Sequence, residues 1–327
     1  MKCPSLFTSK LWVIGGATSG GSVNDVWSST DAATWTQATA SAAWTARQSF
    51  SLIVYNSKMI VLGGGFNDVW SSSDGITWAQ ETASAEWSTR SGQSAVVFGS
   101  TAYVMGGSEA TTYYNDVWSS TDTITWTQVT ASAAWSGRSS HRSIDYSSKI
   151  FVVGGYDGTT RLNDVWSSTD GSTWTQVTAS AAWSARYHSG LIELNSVLFL
   201  IGGETAEGGA TGYKNEVYTT TDGATWTQQT DADFAGRYVD GSAVLNSKIY
   251  VMGGASGTIY NDVWSVAEVV PTVAHLKLPQ LCLLRHQLQL QLLILPSHLL
   301  QYQPKLQLMF LLLTLLSHLP QYPLRLL

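Results

Sequence analysis

The residues of this 327-residue chain whose types could bind a transition metal are His141, His188 and Tyr187, since imidazole and a neighbouring phenol could in principle ligate copper. The two cysteines, Cys3 and Cys282, stand at opposite ends in unlike sequence and make neither a disulfide framework nor a metal-ligand spacing. A paired catalytic acid and nucleophile would have to stand apart from the repeat, yet most acids here recur at fixed places. The exceptions include Glu81, Glu86, Asp145, Glu193 and Glu204. Nearly every arginine is also tied to a recurring position, so no carboxylate-binding arginine cluster stands out. Gly-Gly pairs are common, but no helical pattern follows them, which removes the mechanism of a phosphate-binding loop. The expectation is a protein with no catalytic residues, no metal and no cofactor.

What positions these side chains is a repeat. The stretch "NDVWSSTDGSTWTQVTASAAWSAR", residues 163–186, recurs with few changes at 24–47, 67–90 and 115–138. Gly-Gly pairs begin at Gly15, Gly63, Gly106, Gly154, Gly202 and Gly253, spaced 48, 43, 48, 48 and 51 residues apart. In step with them run Trp27, Trp70, Trp118, Trp166, Tyr218 and Trp264, and Arg47, Arg90, Arg138, Arg186 and Arg237. Period decides the fold before any local reading does.

Each unit divides into four short strands. In the fourth unit these are "RSIDYSS", the continuous apolar run "KIFVVGG", "DVWSST" and "STWTQVT". A run such as "KIFVVGG" suits a strand covered on both faces, and Asp170-Gly171 signals a tight hairpin between the last two strands. Units of four strands at this period read as blades of a β-propeller. Gly-Gly after an apolar strand, an aromatic some ten residues on, a further Trp and a closing Arg resemble the kelch repeat, over roughly residues 5–266. The resemblance implies an all-β propeller of about six four-stranded kelch-like blades spanning residues 1–270. "SSTDGSTW" is also similar to the Asp-box of sialidase-type propellers, but Gly171 follows Asp170 directly and Trp174 comes one residue early. A galactose-oxidase-like copper enzyme, the third functional reading, would further need a tyrosine cross-linked to cysteine, and the propeller offers only Cys3.

The recurring residues read as scaffold. Burying one Trp removes about 150–250 Å² from water, worth at most about 4–6 kcal/mol, and a thin blade needs such side chains pressed between neighbours. The closing Arg reads as a clamp on a carboxylate or backbone carbonyls where the chain enters the next blade. Asp25, Asp68, Asp116, Asp164, Glu216 and Asp262 supply one acid per unit.

Specificity belongs where units differ. The link between Gly-Gly and "NDVW" varies, as do the residues after the closing Arg. In a four-stranded meander both emerge on one face, which usually makes the binding surface. Phe66, His141, Arg142, Tyr156, Tyr187, His188, Glu204 and Tyr238 are the expected rim. The expected function is a non-catalytic protein-interaction module presenting that face to a protein partner; the alternative is a glycan-binding propeller using rim aromatics such as Tyr156 and Tyr187.

The chain holds 15 Trp and 29 Gly but only 12% charged residues, against about 25% in average domains. Residues 1–270 carry 13 Lys/Arg and all 23 Asp/Glu. Such an acidic body offers nucleic acid no counterion-release footprint. Residues 271–327 carry 4 Lys/Arg and no acid, and from His275 onward 42 of 53 residues are Leu, Gln, Pro, His or Arg. Polar residues interrupt this tail too often for a membrane span, which needs roughly 20 apolar residues. Shifted by one base, codons for those residue types encode Ser, Pro, Thr and Ala, so the tail is expected to be a Ser/Thr/Pro-rich linker read out of frame. That reading favours a secreted or cell-surface protein; a tail read in frame favours the cytoplasm. Blade six lacks the fourth-strand "TW" word, and "MKCPSLFTSK" starts like the middle of a unit, so closure of the ring is left open.

Overall fold

The computed structural model describes residues 3–207 and 209–266; the Leu/Gln/Pro-rich tail lies outside the described residues. The chain forms a six-bladed β-propeller of antiparallel sheets, with one helical turn at Gly209–Gly212. Blade four shows the pattern: strands Arg142–Tyr146, Lys149–Tyr156, Arg161–Ser168 and Thr175–Thr178 pair in sequence order. The second strand is buried on both faces, as its apolar run predicts: in blade two, Met59, Ile60, Val61 and Leu62 are all at most 1% exposed.

First strands line the axis and pack side by side. The ring left open by the sequence closes here, because Cys3–Phe7 of blade one lies against Ser242–Leu245 of blade six. The physical reason is a shared apolar core, in which Leu11 and Ala32 of blade one pack with Ala243, Leu245 and Met252. Blade six has three strands among the described residues, ending with Val263–Val266.

The hairpin at Asp170-Gly171 is longer than the two-residue turn its sequence suggests. Asp170 Oδ1 accepts hydrogen bonds from the backbone N–H groups of Ser172 and Thr173, both 2.8 Å, and Gly171 N–H donates to Ser168 Oγ, 2.8 Å. Those N–H groups are therefore spent on a side chain, and the fourth strand starts only at Thr175. The same loop recurs at Asp31, Asp74, Asp122 and Asp222. At Asp170 and its counterparts these bonds hold the carboxyl below its ordinary value.

Three joints hold neighbouring blades. Trp44, Trp87, Trp135 and Trp183, each 1% exposed, meet Trp78, Trp126, Trp174 and Trp226 of the following blade edge-to-face at 5.8–6.2 Å. This geometry sets the positive ring edge on the negative face of its partner. Next, Gly171 (φ +74°) lies so close to Tyr103 of the preceding blade that a Cβ would sit 2.5 Å from its ring, and Gly75 and Gly223 abut Trp12 and Phe151 in the same way. Where the preceding blade carries Ile60 instead of a ring, the hairpin position is Thr123.

The third joint is the arginine. Arg47, Arg90, Arg138 and Arg237 are at most 1% exposed. Each grips both carboxylate oxygens of an acid in the next blade: Asp68, Asp116, Asp164 and Asp262 respectively. Arg186 reaches Glu216 at 2.5 Å. Each also donates to the carbonyl of the first Gly in the next Gly-Gly pair, 2.9–3.1 Å. Each aspartate in turn accepts from the indole N–H two residues on, as Asp164 does from Trp166 at 2.8 Å, whereas Glu216 is followed there by Tyr218. Trp70, Trp118, Trp166 and Trp264 thus serve the joint from a half-buried position, and Trp27 makes the same bond to Asp25.

Candidate functional site

The residues that follow the closing arginines form a ring around the axis at one end. Backbone bonds run from link to link: Gly92 N–H to Ser49 O, Ser140 N–H to Gly92 O, His188 N–H to Ser140 O and Val239 N–H to His188 O, at 2.6–3.1 Å. Ser49, Gly92, Ser140 and His188 share a left-handed backbone, φ 52–64°. Above this ring stand the variable loops between second and third strands.

Four of the expected rim residues meet there. Tyr187 and Tyr238 each donate a hydroxyl hydrogen bond to Glu204 Oε2, the former at 2.6 Å, and Arg161 Nη2 donates to Glu204 Oε1 at 2.7 Å. Tyr156 lies 5.8 Å from Tyr187, and Tyr187 lies 5.7 Å from Tyr238. Tyr113 extends the row beyond Tyr156 at 5.7 Å, and Tyr213 beyond Tyr238 at 5.2 Å. The result is a shelf of five tyrosines, contributed by loops of blades three, four and five and by the links that follow. Burial works to raise the Glu204 carboxyl, but the two hydroxyls and the Arg161 guanidinium outweigh it and hold the group below its ordinary value. Burial, then the Glu204 carboxylate, push the Tyr238 hydroxyl up. One carboxylate therefore fixes Tyr187 and Tyr238, whose hydroxyls burial keeps protonated.

His188 and Arg142 lie lower, at the axis. The His188 ring touches Tyr187 and Tyr238 at 5.1 and 4.9 Å. Arg142 reaches across to blades five and six, donating to the carbonyls of Ser189 at 2.5 Å, Val239 at 2.7 Å and Asp240 at 3.2 Å. Burial, reinforced by the Arg142 charge, pushes His188 down to about 3, whereas burial pushes Asp240 up to about 6.

His141 and Phe66 do not join them. His141 is 1% exposed, packs on Trp135 at 6.0 Å and has no hydrogen-bond partner at either ring nitrogen. Its position also explains Gly106 and Gly155, where a Cβ would sit 2.8 Å from it. Burial first, then the charges of Arg138 and Arg142, push its pKa down to about 3. A partner cannot touch it, so the rim expectation fails for this residue because its register position points inward. Phe66 is half-buried and lies over the Arg47 guanidinium at 4.3 Å, closing the joint between blades one and two.

Sequence reasoning missed Tyr113, Arg161 and Tyr213. All three stand two residues before the Asn of the third-strand word, where the other blades have Ser22, Gly65 and Ile259. That register position holds five residue types in six blades, and comparing it across blades would have exposed them. The non-repeating acids are dispersed: Glu81 bonds Lys58 and Ser71, Glu86 accepts from Trp126 N–H, and Glu193 from Ser196 N–H. Among the described residues no group of three or more His, Cys, Asp or Glu is placed to hold a metal, and no helix is long and apolar enough to cross a membrane.

Comparison with protein families matches residues 92–269 to the KLHDC2/KLHL20/DRC7 Kelch-repeats domain. No curated protein matches the chain at a significant level.

Proposed function

The chain belongs to the kelch-repeat family, and from that premise we propose that it is a protein-interaction module whose tyrosine shelf binds a partner without transforming it. Kelch propellers are typically protein-binding domains. The observation that carries the reading is convergence. Scaffold residues repeat in every blade, whereas Tyr113, Tyr156, Tyr187, Tyr213 and Tyr238 arise from loops that differ and still meet in one row. Tyrosines fixed by their neighbours present contact area at little conformational cost, which is why such residues dominate binding surfaces. Glu204 and Arg161 hold the shelf in place before a partner arrives.

Peptide display against the whole chain tests this. Enriched peptides are expected to lose at least about tenfold in affinity on Tyr156→Ala, a loss of about 1.4 kcal/mol, with melting unchanged. Peptides insensitive to Tyr156→Ala and Tyr113→Ala would overturn the shelf as the docking face. Reproducible hits on a glycan array, in place of peptides, would transfer the same face to the carbohydrate reading.

A further inference from the structure

Beneath the shelf, three successive links place a serine, a histidine and an aspartate in line. Ser140 Oγ lies 3.1 Å from His188 Nε2, and His188 Nδ1 lies 3.6 Å from Asp240 Oδ1. The side chains of His188 and Asp240 are 16% and 11% exposed, so both are largely shielded from solvent without being sealed off. Asp240 faces the imidazole with Oδ1, while its Oδ2 is buried and has no hydrogen-bond partner.

The geometry points to an acyl-transfer nucleophile at Ser140, with His188 as general base and Asp240 as the carboxylate that orients the imidazole, acting on small esters. The nitrogen facing each partner is the one the chemistry requires. Nε2 accepts the serine proton, while Nδ1–H is directed at the carboxylate. The 3.6 Å spacing is long for a hydrogen bond, as such contacts commonly are before substrate arrives. Burial keeps His188 uncharged at neutral pH, so Nε2 is free to accept a proton, and the Asp240 carboxylate facing Nδ1 offsets the low basicity by stabilising the imidazolium that forms. Arg142, anchored on the carbonyls of Ser189, Val239 and Asp240, ties the links that carry His188 and Asp240 to the first strand of blade four, two residues beyond Ser140.

The reaction balances with water as the only co-reactant. Ser140 Oγ attacks the ester carbonyl carbon and its proton passes to His188 Nε2. The bond to the alcohol oxygen breaks as that proton is returned to the departing oxygen. Water, giving its proton to the same imidazole, then cleaves the acyl-serine, releasing the carboxylic acid and restoring Ser140.

The repeat provides an internal control. Ser49 occupies the equivalent position with the same backbone, φ 54° at both residues. Its neighbour on the next link is Gly92, so it has no imidazole beside it. A fluorophosphonate probe applied to the whole chain, with peptide mapping by mass spectrometry, is expected to modify Ser140 about 100-fold faster than Ser49, the usual scale of general-base assistance. His188→Gln should bring Ser140 down to the Ser49 rate. Asp240→Asn should remove the rise in labelling rate that wild type shows as pH crosses about 6, where Asp240 ionises, a change that a purely structural role would not produce. Hydrolysis of p-nitrophenyl acetate, lost in Ser140→Ala, reports the deacylation half. Equal labelling of Ser140 and Ser49, or full labelling in His188→Gln, overturns the proposal; the first comparison needs no variant.

Discussion

Arg138 and Asp164 meet across the joint between blades three and four through two parallel hydrogen bonds, 2.7 Å from Nη1 to Oδ1 and 2.9 Å from Nη2 to Oδ2, with the arginine side chain 0% exposed. A guanidinium fork matches a carboxylate in this way, whereas an ammonium can only act as a point charge. The same arginine also holds the Gly154 carbonyl at 2.9 Å, so one side chain fixes two strands of the neighbouring blade.

Removing that side chain leaves a largely buried carboxylate without its counter-charge. Arg138→Ala is expected to lower unfolding free energy by about 3–5 kcal/mol, read from urea denaturation. Arg138→Lys should recover only part of it. A loss below about 1 kcal/mol would show that the joint is held by apolar contact alone.

The hairpin glycines are matched to the rings they face. Gly171→Thr should destabilise by at least about 1–3 kcal/mol through overpacking against Tyr103 and strain at φ +74°. In Tyr103→Ile the same change should cost less, because the joint then resembles the one where Thr123 faces the blade carrying Ile60. A double-mutant cycle measures this coupling, and additive effects would contradict the match.

The linker tryptophan has a natural replacement in blade five, where Phe234 is 2% exposed and lies 6.4 Å from Trp264. Trp183→Phe also deletes an indole N–H that finds no acceptor. It should therefore cost much less than Trp183→Ala, for which about 3–5 kcal/mol is the usual scale. Thermal melting of the two variants separates ring packing from indole-specific bonding.

His141 makes the fold sensitive to acid. Its folded pKa of about 3 lies below the value of about 6.5 in an unfolded chain. The neutral ring therefore contributes no penalty above pH 6.5. Between about 6.5 and 3 the unfolded chain takes up a proton that the native state refuses, and stability falls as pH falls. Asp240, pushed up to about 6, works in the opposite sense over part of this range. In His141→Leu the difference from wild type should grow by about 2 kcal/mol between pH 7.5 and pH 5, with Asp240 common to both chains. A pH-independent difference would place the acid sensitivity elsewhere.

How far the sequence could be read follows from the same residues. The blades, the Gly-Gly strand ends and the pairing of one arginine with one acid per unit were legible, because a structure that repeats must satisfy the same hydrogen bonds and bury the same surfaces in each copy. The face carrying the variable loops was legible for the same reason, through meander topology. His141 was misplaced as a rim residue, although Phe50, Gln93 and Ser189 at its register position are also buried, at 8%, 5% and 4% exposed. A loop histidine reads as polar, and only the packing of Trp135 and two glycines around it shows that the link turns inward.

The sequence by itself determined what each blade is: four strands, their apolar faces and the clamp to the next unit, all set by local pattern and period. Tertiary structure alone decided what residues far apart in the chain do together. Closure of the ring depended on whether Leu11 and Leu245 share a core, and the shelf on how far loops of successive blades lean toward one another. Ser140, His188 and Asp240 fall into line because curvature around the axis brings successive links together, Ser140 to 3.1 Å and Asp240 to 3.6 Å from the imidazole, distances that period can suggest and only the closed ring can set.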